Sequence, residues 1–107
     1  LYNDPAKDEL SNARIGARKA RTEIQKLEGQ IRKELSGSIL NLEVGQRRLQ
    51  SAENQRKLAQ TKLEAEYEKF RVGESAVRNV VDAQAQLNTA RVAEITARVE
   101  FIKLVTN

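Results

Sequence analysis

The side chains that most often perform catalysis or hold metal ions are missing from this chain of 107 residues, which contains no His, Cys or Met. The commonest general base and metal ligand, the thiolate nucleophile and the soft thioether ligand are therefore absent. The 15 Asp and Glu residues are scattered among 19 Lys and Arg residues, with no grouping typical of paired catalytic carboxylates. We therefore expect a protein that is not an enzyme and that binds no metal or cofactor.

One basic cluster is a candidate for nucleic-acid binding, and it comprises Arg14, Arg18, Lys19 and Arg21. Glu9 and Glu23 flank the cluster, and the net charge of the whole chain is only +4. A helix pair that binds nucleic acid would gather basic residues on one stripe beside aromatic side chains that stack on bases. This pattern is not present, so we interpret the cluster as a solvated helix face and expect no nucleic-acid partner.

Composition and spacing both indicate long helices. Apolar residues make up 39% of the chain and charged residues 32%, and the single Pro is Pro5, a mixture typical of helices packed side by side. Asp4-Pro5 is a helix-start signal, an N-cap followed by Pro at the first helical position. Apolar or small residues then recur every three or four positions, as in the seam of a coiled coil. They are Leu10, Ala13, Ala17, Ala20, Ile24, Leu27 and Ile31.

The same rhythm continues less strictly toward the middle of the chain, where Arg56 interrupts it. Its members are Leu35, Leu42, Gly45, Leu49, Ala52, Ala59, Leu63 and Phe70. The weakest helical stretch is Ser36-Gly37-Ser38, and a loop there would produce a three-helix bundle. Apolar residues resume at Ile39 without a Pro, which favours a continuous or gently bent helix. Gly16, Gly29, Gly37 and Gly45 mark either close approaches of a neighbouring helix or positions where glycine is simply tolerated.

The periodicity breaks between Phe70 and Ser75, where Gly73 suits the left-handed residue that ends a helix and Ser75 suits the N-cap of the next one. The sequence therefore predicts an all-α fold, a long antiparallel, coiled-coil-like helical hairpin with unequal arms. Its first helix covers about residues 5–71, the turn 72–75, and the second helix about 76–106.

The second predicted helix carries two apolar stripes, which indicates packing on two sides. One stripe comprises Val80, Ala83, Leu87, Ala90, Ala97, Phe101 and Leu104, and the other comprises Val77, Val81, Ala85, Val92, Ile95, Val99 and Ile102. Folded back from Gly73, this helix reaches only to about residue 43. The seam from Leu10 to Leu35 is left without a partner in the chain. We therefore expect a fragment of a larger assembly, and we expect the isolated fragment to self-associate as an antiparallel helical dimer or bundle.

The residues around the turn carry a resemblance to a known family. The relevant stretches are Tyr67-Glu68-Lys69-Phe70-Arg71-Val72-Gly73-Glu74-Ser75, Val80-Val81-Asp82-Ala83-Gln84 and Leu87-Asn88-Thr89-Ala90-Arg91. This region resembles the outer membrane efflux protein family, the TolC-like channels. The shared features are an aromatic residue with a Gly three positions later, a hydrophobic pair followed by Asp-Ala-Gln, a Leu and an Ala-Arg pair. The specific part of the resemblance is about 25 residues long.

The resemblance implies a segment, residues 1–107, of the periplasmic helical barrel of a homotrimeric outer membrane channel, without its membrane β-strands. It implies that the tip, Arg71, Val72, Gly73, Glu74 and Ser75, docks a periplasmic adaptor protein and, through it, an inner membrane transporter. Asp82 matches an acidic position that constricts the closed pore. Asn79 stands where some members carry a second Asp, so this chain departs from a double acidic ring. The localisation implied is the periplasmic portion of a Gram-negative outer membrane protein.

Two other functions remain open at this stage. One is the hairpin of a periplasmic adaptor (membrane fusion) protein, whose arms would be nearly equal in length. The other is a generic coiled-coil interaction module, which explains the heptads but not the second stripe on the second helix. No stretch approaches the roughly 18 consecutive apolar residues of a membrane-spanning helix, so we expect that the fragment itself does not cross a membrane.

Overall fold

Two helices account for the fold of this protein, seen in a computed structural model that describes residues 4–106. Helix α1 is Pro5–Arg71 and helix α2 is Val77–Thr106, and no strand occurs between residues 4 and 106. The predicted all-α hairpin with unequal arms is therefore confirmed, with α2 starting one residue later than expected. Residues 1–3 and 107 of the predicted 1–107 segment lie outside the described residues.

The start of α1 follows the predicted capping chemistry. The Oδ1 atom of Asp4 accepts a hydrogen bond from the backbone N–H of Ala6 at 3.0 Å, which satisfies one of the free donors of the first turn. Pro5 occupies the first helical position, where its missing N–H costs nothing. The helix then continues without a break through residues 36–38, so a loop at Ser36-Gly37-Ser38, and with it the alternative three-helix bundle, is excluded.

The chain divides into two compact units, residues 1–38 and 39–107. In the first unit, every residue from 4 to 38 is exposed. Its large apolar side chains are 53–59% exposed at Leu10, Ile24, Leu27, Ile31 and Leu35, and 46% exposed at Ile15. The predicted seam of this segment is thus a regular apolar face open to solvent.

In the second unit, α1 and α2 pack along a single seam. Val44, Glu53 and Gln60 on α1 adjoin the seam and are half-buried. The half-buried and buried positions of the seam itself are Leu42, Gly45, Leu49, Ala52, Arg56, Ala59, Leu63 and Glu66 on α1, and Val80, Ala83, Leu87, Ala90, Glu94, Ala97 and Phe101 on α2. Both sets advance in alternating steps of three and four residues, the pattern of coiled-coil packing. The core is thin, because Ala52, Ala83 and Leu87 are the fully buried apolar residues of the described chain.

Contacts along this seam show that the two helices are antiparallel. Near the turn, Nζ of Lys62 donates a hydrogen bond to Oε1 of Gln86 at 3.1 Å. Further from the turn, Gly45 faces Leu104, whose Cδ1 atom would lie 2.8 Å from a Cβ added to the glycine. Contacts that move toward the start of α1 therefore move toward the end of α2.

The four helical glycines fall into two classes. A Cβ added at Gly45 would also lie 3.4 Å from Cδ2 of Phe101, so this glycine marks a close approach of the two helices. A Cβ added at Gly16, Gly29 or Gly37 would have no atom within 4 Å other than those of its chain neighbours and of the backbone of its own helix. Each of the two interpretations left open by the sequence therefore applies to part of the set.

Candidate interaction surfaces

The tip of the hairpin is built by a glycine-terminated helix end. Gly73 has a φ of +81° and is the residue with positive φ in the described chain, a conformation that strains residues with a Cβ. Its N–H donates to the carbonyl of Phe70 at 3.1 Å, and the N–H of Glu74 donates to the carbonyl of Lys69 at 2.8 Å. These two bonds form a Schellman motif, which satisfies the last carbonyls of α1 and stops the helix. The predicted role of Gly73 is confirmed.

Ser75 does not play the capping role that the sequence predicted. Its Oγ donates to Oε2 of Glu66 on α1 at 3.0 Å and accepts from Nδ2 of Asn79 on α2 at 2.9 Å. The hydroxyl is therefore engaged by side chains of both helices, and the first turn of α2 is closed by a bond from Asn79 N–H to the carbonyl of Ala76 at 3.0 Å. A longer-range partner, Glu66, competes with the local backbone for the same hydroxyl.

The other predicted tip residues are exposed, as a docking surface requires. Val72 exposes 60% of its surface. Arg71 donates from Nε and Nη2 to Oε2 of Glu68, at 3.2 and 2.9 Å, so its guanidinium is held against the side of α1. Glu74 is also exposed. The five residues 71–75 therefore lie together at one end of the second unit.

The two predicted pore residues lie on the same face of α2, three positions apart. Asn79 belongs to the tip through its bond to Ser75. Asp82 is exposed, and none of the ion pairs among residues 4–106 includes it. In particular, no ion pair joins Asp82 to Arg78, which lies one turn earlier on α2. Whether Asp82 constricts a pore remains a prediction.

A buried layer of polar side chains interrupts the apolar seam. The sequence predicted its α1 member, Arg56, but not its α2 member, Glu94. Arg56, recognised in the sequence as an interruption, donates from Nε to Oε2 of Glu94 at 2.7 Å and from Nη1 to Oε1 of Gln60 at 3.0 Å. Arg98 lies 3.3 Å from Oε1 of Glu94 and 3.6 Å from Oε1 of Glu53. Both oxygens of Glu94 are thus in contact with a guanidinium, as a buried carboxylate requires.

These contacts determine the ionisation of Glu94. The hydrogen bond from Arg56 and the positive charges of Arg56 and Arg98 lower the pKa of the Glu94 carboxyl, against the opposing effect of burial. Glu94 therefore stays ionised at neutral pH although it is the buried charged residue of the seam. The sequence contained an indication that residue 94 lies in the seam, because it is four residues after Ala90 and three before Ala97, the spacing of the other seam residues.

The second apolar stripe of α2 is exposed along its whole length. Val77, Val81, Val92, Ile95, Val99 and Ile102 are 45–64% exposed. The exposed large apolar residues of α1 in this unit are Ile39, Leu40, Leu58, Tyr67 and Phe70, which are too widely separated to form such a row. Leu58 has polar residues one turn before and one turn after it. Helix α2 is thus apolar on two faces, of which only one is covered by α1.

Neither helix of the described segment combines the length and the apolar character needed to cross a membrane. Across residues 4–106, no three His, Cys, Asp or Glu side chains come together in a group able to hold a metal ion.

Comparison with known proteins adds no relative to this description. No protein-family model matches the chain, and no curated protein or solved structure is significantly similar to it.

Proposed function

We propose that this chain is the wall and periplasmic tip segment of a trimeric outer membrane efflux or export channel. The observation that carries the proposal is the second apolar stripe of α2, a row of six large apolar residues that is interrupted by Asn88 and is open to solvent. A helix in a barrel wall has a neighbour on each flank, so it needs two apolar stripes. A helix that belongs to an isolated hairpin needs only one.

The tip supports the docking part of the proposal. Gly73 carries no Cβ, and no atom lies within 4 Å of the position where one would stand, so another helix pair can approach the backbone there. The exposed Val72 beside it supplies an apolar contact of the kind that is found at the centre of protein interfaces. The Schellman motif holds both residues in one conformation, which lowers the entropy lost when a periplasmic adaptor binds.

One other function explains less. A generic coiled-coil module would need the seam between α1 and α2 but gives no reason for a second stripe of six large apolar residues on α2. The second apolar stripe of α2 thus favours the channel segment over the generic module.

The test places a photo-cross-linking residue in the full-length protein in cells. At Ile95, on the exposed stripe, we expect cross-links to the same protein within a trimer. Leu58 is a matched control, because it is equally apolar and 70% exposed but stands outside any stripe, and we expect no trimer product there. Cross-links from Ile95 to unrelated proteins, or equal products at both sites, would contradict the wall assignment.

A second arm of the test addresses the tip. Val72→Arg should abolish export while the trimer still assembles, because its side chain would occupy the docking surface while Gly73 keeps the conformation that ends α1. A cross-linker at Glu74 should capture a periplasmic protein with lipoyl-like strand segments. Export that survives Val72→Arg, with the trimer intact, would rule out this tip as the docking site.

A further inference from the structure

The second apolar stripe of α2 is interrupted near its middle by a polar residue, Asn88. This residue is exposed, and it follows Ala85 by three positions and precedes Val92 by four, so it occupies a position of the stripe itself. Its Oδ1 atom accepts a hydrogen bond from Nε2 of Gln84 at 3.0 Å. Its Nδ2 group donates to no side chain or carbonyl among residues 4–106. The amide therefore offers hydrogen-bond donors to whatever covers the stripe.

Arg91 lies one helical turn after Asn88, on the edge between the stripe and the seam. Residues three and four positions away are its neighbours on the helix surface, and they are the seam residues Leu87 and Glu94 and the stripe residues Asn88 and Ile95. A groove along this edge is lined by Arg56, Gln60, Arg91, Glu94, Ile95 and Arg98. A helix that packs on the stripe must therefore pass beside the exposed guanidinium of Arg91.

Within the described chain, Arg91 has no carboxylate partner. The two oxygens of Glu94 are in contact with the guanidinium groups of Arg56 and Arg98, and Glu53 pairs with Arg98. None of the ion pairs between described residues includes Arg91. Three guanidinium groups thus share two carboxylates, which leaves an excess of one positive charge beside an apolar surface.

We propose that Asn88 and Arg91 bind a carboxylate side chain, Asp or Glu, of the helix that covers the second apolar stripe of α2. This inference rests on the proposed function, because it takes that helix to be the neighbouring helix of the channel wall. The amide and the guanidinium both present donors, which is what an ionised carboxylate requires. A covering helix without the carboxylate would remove water from both groups and supply no acceptor, which is unfavourable.

Charge distinguishes this partner from others. A covering helix with a Lys or Arg beside Arg91 would bring like charges together, and one with only apolar residues would leave the excess positive charge uncompensated. A carboxylate neutralises it. The same contact determines the register of the neighbouring helix, since a single polar position within an apolar stripe is satisfied at only one height along the partner.

Zero-length coupling tests the chemistry of the partner. In Arg91→Lys an amine replaces the guanidinium, and a water-soluble carbodiimide joins an amine to a carboxylate in contact with it. In the purified full-length protein we expect a cross-linked peptide, identified by mass spectrometry, that joins residue 91 to an Asp or Glu other than Glu53 and Glu94. Ala93→Lys is the matched control, because residue 93 is exposed at nearly the same level of α2 but has no stripe residue among its neighbours. No such peptide should form there.

A second arm measures what the contact contributes to assembly. The photo-cross-linking residue is placed at Val81, on the same stripe and roughly 15 Å from residue 91, so that it does not disturb the site. Arg91→Glu should lower the yield of cross-linked trimer about tenfold, because a charge-assisted contact becomes a repulsion. Ala93→Glu adds a negative charge away from the stripe and should leave the yield unchanged. Asn88→Leu should also lower the yield, whereas a stripe that needed only apolar contacts would gain from it.

The two proposals fail in different ways. Coupling of Arg91→Lys only to Glu53 or Glu94, a yield that Arg91→Glu leaves unchanged, or a yield that Asn88→Leu raises would each overturn the carboxylate site. The wild-type trimer cross-links, and with them the channel function, would still stand. Absence of trimer cross-links in the wild type would refute the channel function instead, and the carbodiimide product alone would then decide whether the carboxylate site exists.

Discussion

Replacing Gly45 by Ala measures how closely the two helices of the second unit approach in solution. In the interior of an exposed helix, Gly→Ala stabilises the helix by about 1 kcal/mol. At Gly45 the new Cβ would lie 2.8 Å from Cδ1 of Leu104, about 1 Å short of the ordinary separation of roughly 3.5–4.0 Å between carbon atoms. The gain in helix propensity is therefore opposed by a steric contact.

The contact has a modest cost, because the obstructing atom is a methyl group at the end of a flexible side chain. Leu104 is 38% exposed, so it can rotate away from the new methyl group, at a cost of about 0.5–1.5 kcal/mol for a strained rotamer. Phe101, at 3.4 Å, needs to move by only a few tenths of an ångström. The two effects nearly cancel, and we expect Gly45→Ala to leave the free energy of unfolding almost unchanged.

Two further variants isolate the two effects. Gly37→Ala adds a methyl group that meets no obstructing side chain within 4 Å, so it should show the full gain of about 1 kcal/mol in helix stability. Gly45→Ala combined with Leu104→Ala removes the obstruction, so relative to Leu104→Ala alone the same gain should return. Thermal unfolding followed by circular dichroism resolves this difference, since about 1 kcal/mol shifts the midpoint by roughly 4–8 °C in a chain of this size.

The reasoning is refuted if Gly45→Ala alone raises the midpoint as much in the wild-type background as in the Leu104→Ala background. The absence of any difference would mean that the two helices do not approach at this glycine in solution.

Three other predictions concern the seam between α1 and α2. Leu87 is 2% exposed, so Leu87→Ala should lower the free energy of unfolding in urea by about 2–3 kcal/mol, whereas Val92→Ala on the exposed stripe should change it by less than about 0.5 kcal/mol. Arg56→Leu should lower the melting temperature because it removes the shorter of the two ion pairs of Glu94 and leaves only the one with Arg98, and Glu94→Leu should lower it because Arg56 loses its carboxylate partner. The double Leu variant should recover most of the loss. The pKa of Glu94 is lowered in the folded protein, so its ionised carboxylate stabilises the fold fully above the ordinary glutamate pKa of about 4.3. This stabilisation is lost as the pH falls through the folded pKa. Urea titrations between about pH 5 and pH 3 should therefore show a smaller loss of the free energy of unfolding for Glu94→Gln than for the wild type.

Most of the fold could be predicted because it depends on local signals. The Asp4-Pro5 start, the glycine at the turn and the seam spacing each act within one or two helical turns. The continuity of α1 through Ser36-Gly37-Ser38 could be predicted for the same reason, since no residue in that stretch forbids a helix. The end of α1 follows directly from the position of Gly73.

The parts that sequence reasoning missed depend on partners far apart in the chain. Ser75 has the right residue type and position for an N-cap, but Glu66, nine residues earlier on the other helix, takes its hydroxyl. Glu94 was overlooked because the spacing was judged on apolar residues alone. Its position between Ala90 and Ala97 would have identified it as a seam residue, and Arg56 as the polar seam residue of α1 that it could pair with.

The pairing of Arg56 with Glu94 also has a consequence for the tip. If α2 slipped by one heptad, Arg56 would face Leu87 or Phe101, and Glu94 would face a leucine of α1, so two charges would be buried without partners. Breaking a buried pair in this way is far more unfavourable than losing apolar contacts of similar size. The layer therefore excludes the neighbouring registers. Because the register determines how many residues remain for the turn, a polar layer in the middle of the seam keeps Gly73 at the apex, where the proposed docking surface requires it.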